Sequence, residues 1–261
     1  MFTTNPFAEL SSTVSPAIMQ IYVFVMFLLV VGGTLFDTVH KKSARYFFEN
    51  RQKVRKSGRP LGSGDMIGIA VQTLAVDVAT SGEFCNQKRR AAHLLGMYGF
   101  ILYVATSAIM VFAYPTPANP GPALLAALWY LGALMICVGG YWFWLFIRVD
   151  VMAEGHPVLR LVRADMFIVL LLASATLGLL WAWLQTAGAG ALTTIFLGLY
   201  LIATTALFVT VPWSKFSHMF YKPAAAFEKR VEKANGTRRN LPAPANMPEK
   251  FGSGRRAPQN Y

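Results

Sequence analysis

Residues 17–38 read AIMQIYVFVMFLLVVGGTLFDT, an apolar run with no charged side chain before Asp37. A helix rises about 1.5 Å per residue, so about 20 residues of this kind cross the roughly 30 Å hydrocarbon core of a bilayer. Four more runs of the same character follow at about 90–113, 123–147, 166–186 and 192–212. In hydrocarbon every backbone N–H and C=O must be bonded within the segment, which makes each run a helix. The expected fold is all-α, an integral membrane bundle of five transmembrane helices. The composition agrees: 55% of the 261 residues are hydrophobic and 13% aromatic, so no soluble domain of useful size is left over.

The charges orient the bundle. All 24 Lys and Arg fall within 41–59 with 88–90, 148–163 and 215–256, whereas the N-terminus and the turns at 115–122 and 187–192 contain none. Basic loops stay on the cytoplasmic side. The expected topology is N-out and C-in, in the cell inner (cytoplasmic) membrane. The net charge of +12 sits beside membrane helices, which points to anionic lipid and topology, not nucleic acid. The opening MFTTNPFAELSSTVSP lacks a basic leader and a small-residue cleavage site, so 17–38 is expected to remain as the first helix.

Between the runs the pattern changes. Over 66–80, Ile67, Ala70, Val71, Leu74 and Val78 share one helical face opposite Gln72, Thr73 and Thr80, which predicts a helix lying at the cytosolic interface. The Pro-rich stretch YPTPANPGP at 114–122 ends the second membrane helix in a short rigid turn. Trp129, Tyr130, Tyr141, Trp142 and Trp144 lie toward the ends of the third, where aromatic rings favour the headgroup level, and Trp181 and Trp183 read as interface anchors in the fourth. After Gly236 the chain is rich in Pro, Gly and charge and cannot bury a core, so a disordered basic C-terminal tail is expected. The organisation predicted is an external segment 1–16, a membrane domain 17–213 and a basic cytosolic tail 214–261. Cys85 and Cys137 lie in a loop and a membrane helix and form neither a structural disulfide nor a four-ligand metal site.

The titratable groups are few. Of four histidines, His156 sits in a Gly-His-Pro turn as a solvated residue, and His40 precedes two lysines at a helix end, where a cation complements the macrodipole. His93, in KRRAAHLLGMYGFILYVAT, and His218, in TVPWSKFSHMFYKP, each lie near the cytosolic end of a membrane helix in an apolar setting. Two antiparallel helices bring such residues to similar depth, and paired axial imidazoles are how b-type haem is held in a bundle. Gly96 and Gly99 allow close approach of a helix or a macrocycle. The residues alone leave two readings open: haem b axial ligands, or interfacial histidines with hydrogen-bond partners.

The stretches RRAAHLLGMYGFILYVAT, RADMFIVLLLASATLGLL and GLYLIATTALFVTVPWSKFSHMFYKP resemble the gamma subunit of respiratory nitrate reductase and related haem-b, quinone-reactive subunits, over about 85–235. In that family the His of the Pro-aromatic-Ser-basic-x-x-His pattern matches His218, and its partner matches His93. The positions matching the second haem's ligands are Tyr103 and Tyr200, so the resemblance implies at most one haem b, on the cytosolic side. A resemblance over nearly the whole chain is to the membrane anchor of dissimilatory adenylylsulfate reductase of sulfur-oxidising bacteria. It rests on MFTTNPFAEL, TSGEFCNQKRRAAHLLGMYGF, GGYWFWLFIRVDVMAEG and VPWSKFSHMFYKPAAA with EKANGTRRNLPAPANMPEKFG. It implies a cytosolic flavin and iron–sulfur adenylylsulfate reductase heterodimer as partner, quinone as electron acceptor, and a non-catalytic anchor and electron-transfer subunit serving sulfur oxidation, docked through 41–59 and 215–256.

Two other classes stay in view. One is a haem-free structural anchor; the other is a small transporter. Transporters bury ionisable groups at the midplane, whereas the helix centres here offer Ser107, Ser174, Thr176, Thr204, Thr205 and tyrosines, with Asp37 and Asp165 near helix ends. Hydroxyls such as those of Thr106 and Ser107 are expected to bond back to the preceding turn, and Tyr103 and Tyr200 to pack.

Overall fold

The computed structural model describes residues 2–40, 49, 51–52, 58–82, 84, 86–147, 155, 157, 160–162, 165–216 and 218–237, with the backbone of 250–251 and 255–256. The basic loop around 41–57, the loop of His156, Cys85 and most of the tail beyond 237 lie outside the described residues. Along the chain the elements are α1 (Pro6–Leu10), α2 (Pro16–His40), α3 (Ser63–Gln72) running into wide π-type turns over Thr73–Ala79, α4 (Gln87–Ala113), α5 (Ala123–Trp142) with π-type turns over Phe143–Ile147, α6 (Met166–Thr186), α7 (Ala191–Val209) and α8 (His218–Ala234). A two-residue antiparallel pair, β1 (Lys250–Phe251) with β2 (Arg255–Arg256), follows. The five long helices α2, α4, α5 with its π turns, α6 and α7 are each long and apolar enough to cross a membrane. The molecule is an all-α multi-pass membrane protein.

The chain divides into two compact units, Met1–Asp37 with Ala91–Phe216, and Thr38–Arg90 with Ser217–Tyr261. In the first, helices meet where side chains are missing. A Cβ on Gly99 would stand 2.8 Å from the carbonyl oxygen of Gly132, and one on Gly139 would stand 2.8 Å from that of Ala92. The backbones of α4 and α5 therefore touch along a seam of small residues, the usual basis of helix association in lipid. The helix α2 turns Ile18, Ile21, Phe24, Phe27 and Leu35 outward, as a lipid-facing helix does. It is tied inward by Gln20, which donates to the Val111 carbonyl, and by Tyr22, whose hydroxyl donates to the Leu201 carbonyl at 3.1 Å.

The segment expected to be external, 1–16, is built into this unit. Asn5 accepts from the N–H groups of Phe7 and Ala8, capping α1, and its amide donates to the carbonyls of Tyr114 (2.9 Å) and Pro120 (3.1 Å). Gln185 donates to the Pro6 carbonyl, and Pro6, Phe7, Ala8 and Leu10 are buried. A five-residue helix is marginal by itself; these bonds to a distant turn hold it.

Two boundaries differ from those expected. The last membrane helix ends at Val209, short of 212, because Pro212 has no N–H and Val211–Ser214 tighten into turns on Phe208 and Thr210. His218 accordingly opens a separate helix, α8, instead of closing the fifth membrane helix, and residues within the expected tail 214–261 are helical through Ala234. The predicted helix at 66–80 is observed as α3 and its π turns, with Ile67, Val71 and Leu74 exposed and Thr73 buried. On α8, Ala226, Glu228, Val231 and the following Asn235 are buried, packing toward α3 and the π turns. Arg230 clamps Asp77 through one guanidinium edge, Nε donating to Oδ2 and Nη2 to Oδ1 at 2.9 Å, and Arg51 pairs with Glu228 at 2.9 Å. The hydrogen bond from Arg230 holds the Asp77 carboxyl below the usual carboxylate range, against the opposing effect of burial.

Two outcomes follow. Asn5→Ala removes the cap and strands two carbonyls, and is expected to destabilise the protein by about 1–3 kcal/mol. Thermal unfolding in detergent with hydrogen exchange at 114–120 measures it, and unchanged protection there would show that Asn5 does not fasten the segment. Because the folded Asp77 pKa is depressed, its contribution is present above the unfolded carboxylate range and is lost as pH falls through the lower folded value. Exchange protection of α8 should therefore weaken on acidification below about pH 4, and Asp77→Asn should flatten that dependence.

Candidate functional site

The interior of the first unit is assembled from three heptad-spaced rows. On α4 the row is His93, Gly96, Phe100, Tyr103 and Ser107; on α6 it is Phe167, Leu171, Ser174, Gly178, Trp181 and Gln185; on α7 it is Tyr200, Thr204, Leu207 and, just beyond, Val211. Residues three and four apart lie on one face of a helix. The contacts confirm that these faces look inward. Phe216 is enclosed edge-on by Phe100, Phe167 and Phe208, with ring centroids 6.0, 5.4 and 5.9 Å away. Ser174 and Thr204 share a hydrogen bond at 2.8 Å. Tyr103 stacks on Trp129 at 5.2 Å and Tyr200 on Trp181 at 5.6 Å, and Phe7 touches both tryptophans. On α6 this succession of layers, from Phe167 to Gln185, spans about 27 Å.

His93 begins the α4 row and is half-buried. One turn further on, a Cβ on Gly96 would meet no atom within 4 Å, so the helix has room for a side chain at that position. Gly99, by contrast, is filled by α5. Of the two glycines noted beside His93, Gly99 serves the helix seam and Gly96 leaves space. His218 belongs to the second unit, at the first position of α8 and two residues after the enclosed Phe216. His93 and His218 thus fall in different units, each placed within its own. His40 ends α2, and His156 lies outside the described residues.

The place matched by sequence to a second pair of haem ligands is packed solid. Tyr103 and Tyr200 are each 5% exposed, and a Cβ on Gly178 would come within 2.6 Å of the Tyr103 hydroxyl. The glycine on α6 is what makes room for that ring. Trp129, Tyr130 and Trp181 are fully enclosed core residues, not the interface residues their positions near helix ends predict, because α1 folds over them. Trp183 is half exposed, as an anchor would be. Thr106 and Ser107 do bond back to the carbonyls of Leu102 and Tyr103, and Ser107 also accepts from Trp129 Nε1 at 2.8 Å. Cys137 is a free thiol 3.6 Å from Thr176 Oγ1. Among the described residues no three His, Cys, Asp or Glu side chains gather as a metal site. Periodicity could have found the burial of Trp181, which continues the α6 row; the role of Phe7 had no signal in a five-residue helix.

No protein-family model matches the chain, and no solved structure matches it. Over 170 residues it is 31% identical to a citrate utilization protein B of Escherichia coli, an alignment covering 59% of this chain and 43% of that protein. The chain therefore spans less than half the length of this curated relative.

The packing makes a paired prediction. Gly178→Val should force Tyr103 off Trp129 and cost about 1–3 kcal/mol, whereas Gly96→Ala should leave stability the same or raised. Comparing the two melting temperatures in one detergent tests this, and equal loss in both would mean that the described difference in local space is wrong.

Proposed function

We propose that this protein is a membrane anchor and electron-transfer subunit, passing electrons from a cytosolic adenylylsulfate reductase to the quinone pool through one haem b ligated by His93 and His218. The observation that carries the reading is His93: a half-buried imidazole on the inward row of a membrane helix, with open room at Gly96 one turn away. Those features fit an axial ligand and the edge of a flat macrocycle. His218 enters through the resemblance stated above.

In this reading haem supplies one-electron redox chemistry when bound. The chain's own residues do the rest. His93 supplies an imidazole ligand, the small residues of the seam bring the α4 backbone close to α5, and the aromatic layers exclude water. The tyrosine layer of Tyr103 and Tyr200 leaves no room for a second group, in keeping with one haem at most. The topology proposed is N-out and C-in in the inner membrane, which puts the second unit on the cytosolic side. There the exposed row Ile67, Val71 and Leu74 lies against lipid as an interfacial helix. The sulfur chemistry belongs to the partner, a flavin and iron–sulfur heterodimer, and the reaction runs from sulfite and AMP toward adenylylsulfate with release of two electrons.

A transport function, which the relative's name brings to mind through citrate, finds less support. Citrate is a polyanion, and residues 16–36, 91–113, 123–147, 166–186 and 191–209 hold no Lys or Arg to receive one. Several of their hydroxyls are engaged with one another, as Ser174 is with Thr204 and Tyr22 with Thr205.

Protein purified from haem-sufficient cells is expected to show a b-type difference spectrum, dithionite-reduced minus oxidised, and about one haem per chain by pyridine haemochrome. His93→Ala and His218→Ala should each abolish it with the helical content unchanged. Full haem retention in both variants would defeat the ligand assignment, and a well-folded wild type with no haem would establish the haem-free anchor instead.

A further inference from the structure

The lipid-facing row of α5 carries one polar group. Leu131, Leu134, Val138, Tyr141 and Leu145 are exposed, and their spacing of three, four, three and four puts them on one face of the helix. Four are aliphatic, as contact with lipid requires. The fifth, Tyr141, brings its hydroxyl to Thr176 Oγ1 on α6 at 2.9 Å, and the thiol of Cys137, one turn away on α5, stands 3.6 Å from the same oxygen. A tyrosine that anchors at a membrane surface points its hydroxyl to the headgroups. This one points the other way: Thr176 is the eleventh of the 21 residues of α6, the midpoint of a helix that spans. The hydrogens in the cluster do not balance. A phenol, a hydroxyl and a thiol bring three donors to two contacts, so one donor is left without an acceptor inside the cluster. Hydrocarbon supplies none.

We infer that the groove between α5 and α6 at Tyr141, Thr176 and Cys137 receives the ring of a membrane-dissolved quinone, one of whose carbonyl oxygens accepts the remaining hydrogen. Such a ring reaches the groove sideways from the bilayer and leaves its apolar tail in lipid. The depth fits this ligand. The ester carbonyls of lipids stay at the edge of the hydrocarbon, whereas a quinone carries its carbonyls into it. The level along the bundle fits as well. Gly139, two residues from Tyr141, meets Ala92 beside His93, and Gly178, two residues from Thr176, meets Tyr103. The cluster therefore lies between the level of His93 and that of the packed tyrosine layer. Past that layer the rings of Tyr103, Trp129, Trp181, Tyr200 and Phe7 fill the unit. An acceptor at the far end would stand behind the whole block, and electron transfer through protein falls steeply with distance. The inference rests on the functional reading above, which supplies quinone as the acceptor.

The test is photolabelling of the full-length protein in nanodiscs with a short-chain azido-quinone, with the labelled peptides mapped by mass spectrometry and competed by decylubiquinone. Wild type is compared with Tyr141→Phe and with the double variant Tyr141→Phe, Thr176→Val. These changes keep the ring and the volume, and matched melting temperatures check the fold. The expected result is competed label on 134–145 and 173–180, with apparent affinity about tenfold weaker in the double variant and a smaller loss in Tyr141→Phe. Equal affinity in all three proteins overturns the site. Competed label that falls near α1 instead also overturns it, and leaves the functional reading standing. Label that excess decylubiquinone does not suppress is reaction from the lipid phase and overturns the site as well. No competed label anywhere on the wild type removes the site together with the quinone part of the functional reading, while the haem spectrum judges the rest of that reading separately.

Discussion

Helices in hydrocarbon are held together by contact, since lipid tails are as apolar as leucine and supply no drive to exclude side chains. In this protein that contact is backbone against backbone, where Gly99 meets Gly132 and Gly139 meets Ala92. The seam costs α4 and α5 intrinsic helix propensity at each glycine, a cost that matters less where the bilayer already enforces helix. It fixes the rotation of α4. Once Gly99 faces α5, the row His93, Gly96, Phe100, Tyr103 and Ser107 runs along the border of that seam, so that Tyr103 and Ser107 meet Trp129 of α5 while Phe100 meets Phe216.

From that rotation a graded interior follows. Edge-on phenylalanines surround Phe216, a hydroxyl pair joins α6 to α7, and two tyrosine–tryptophan stacks sit under Phe7. Large aromatic rings bury much area with few rotatable bonds, so such layers are rigid and dry. Gly178 is the counterpart of the bulk: one missing side chain on α6 admits the Tyr103 ring. Near His93 the same helix does the opposite, since a Cβ on Gly96 would meet no atom within 4 Å. Packing is complete at one end of the α4 row and open at the other, and the only histidine of the row stands at the open end.

The second unit obeys a different economy, that of charge at a boundary with water. Paired ions at partly buried sites contribute through geometry more than through attraction, and the forked clamp of Arg230 on Asp77 sets how α8 lies on the π turns. The π turns matter to this: widening the helix over Thr73–Ala79 brings Thr73 inward and Asp77 toward α8 while Leu74 stays exposed. A regular reading of the 66–80 face named Ile67, Val71 and Leu74, which are exposed, but gave no hint that Asp77 would carry the tertiary contact.

Hydropathy and charge by themselves determined the five spans to within a few residues, because crossing a bilayer is a constraint on length and polarity that acts locally. They also singled out His93, since few titratable groups occur in those runs, whereas Tyr103 and Tyr200 came to notice only through the resemblance to haem-b subunits. They could not tell that Asn5 and Phe7 cap the aromatic core, that Trp129 and Trp181 are interior, or that Pro212 ends the last span early enough for His218 to begin a new helix. Each of those depends on which distant backbone carbonyl, ring or glycine lies opposite, and residues such as Tyr114, Gly178 and Val211 become neighbours only when the helices are packed.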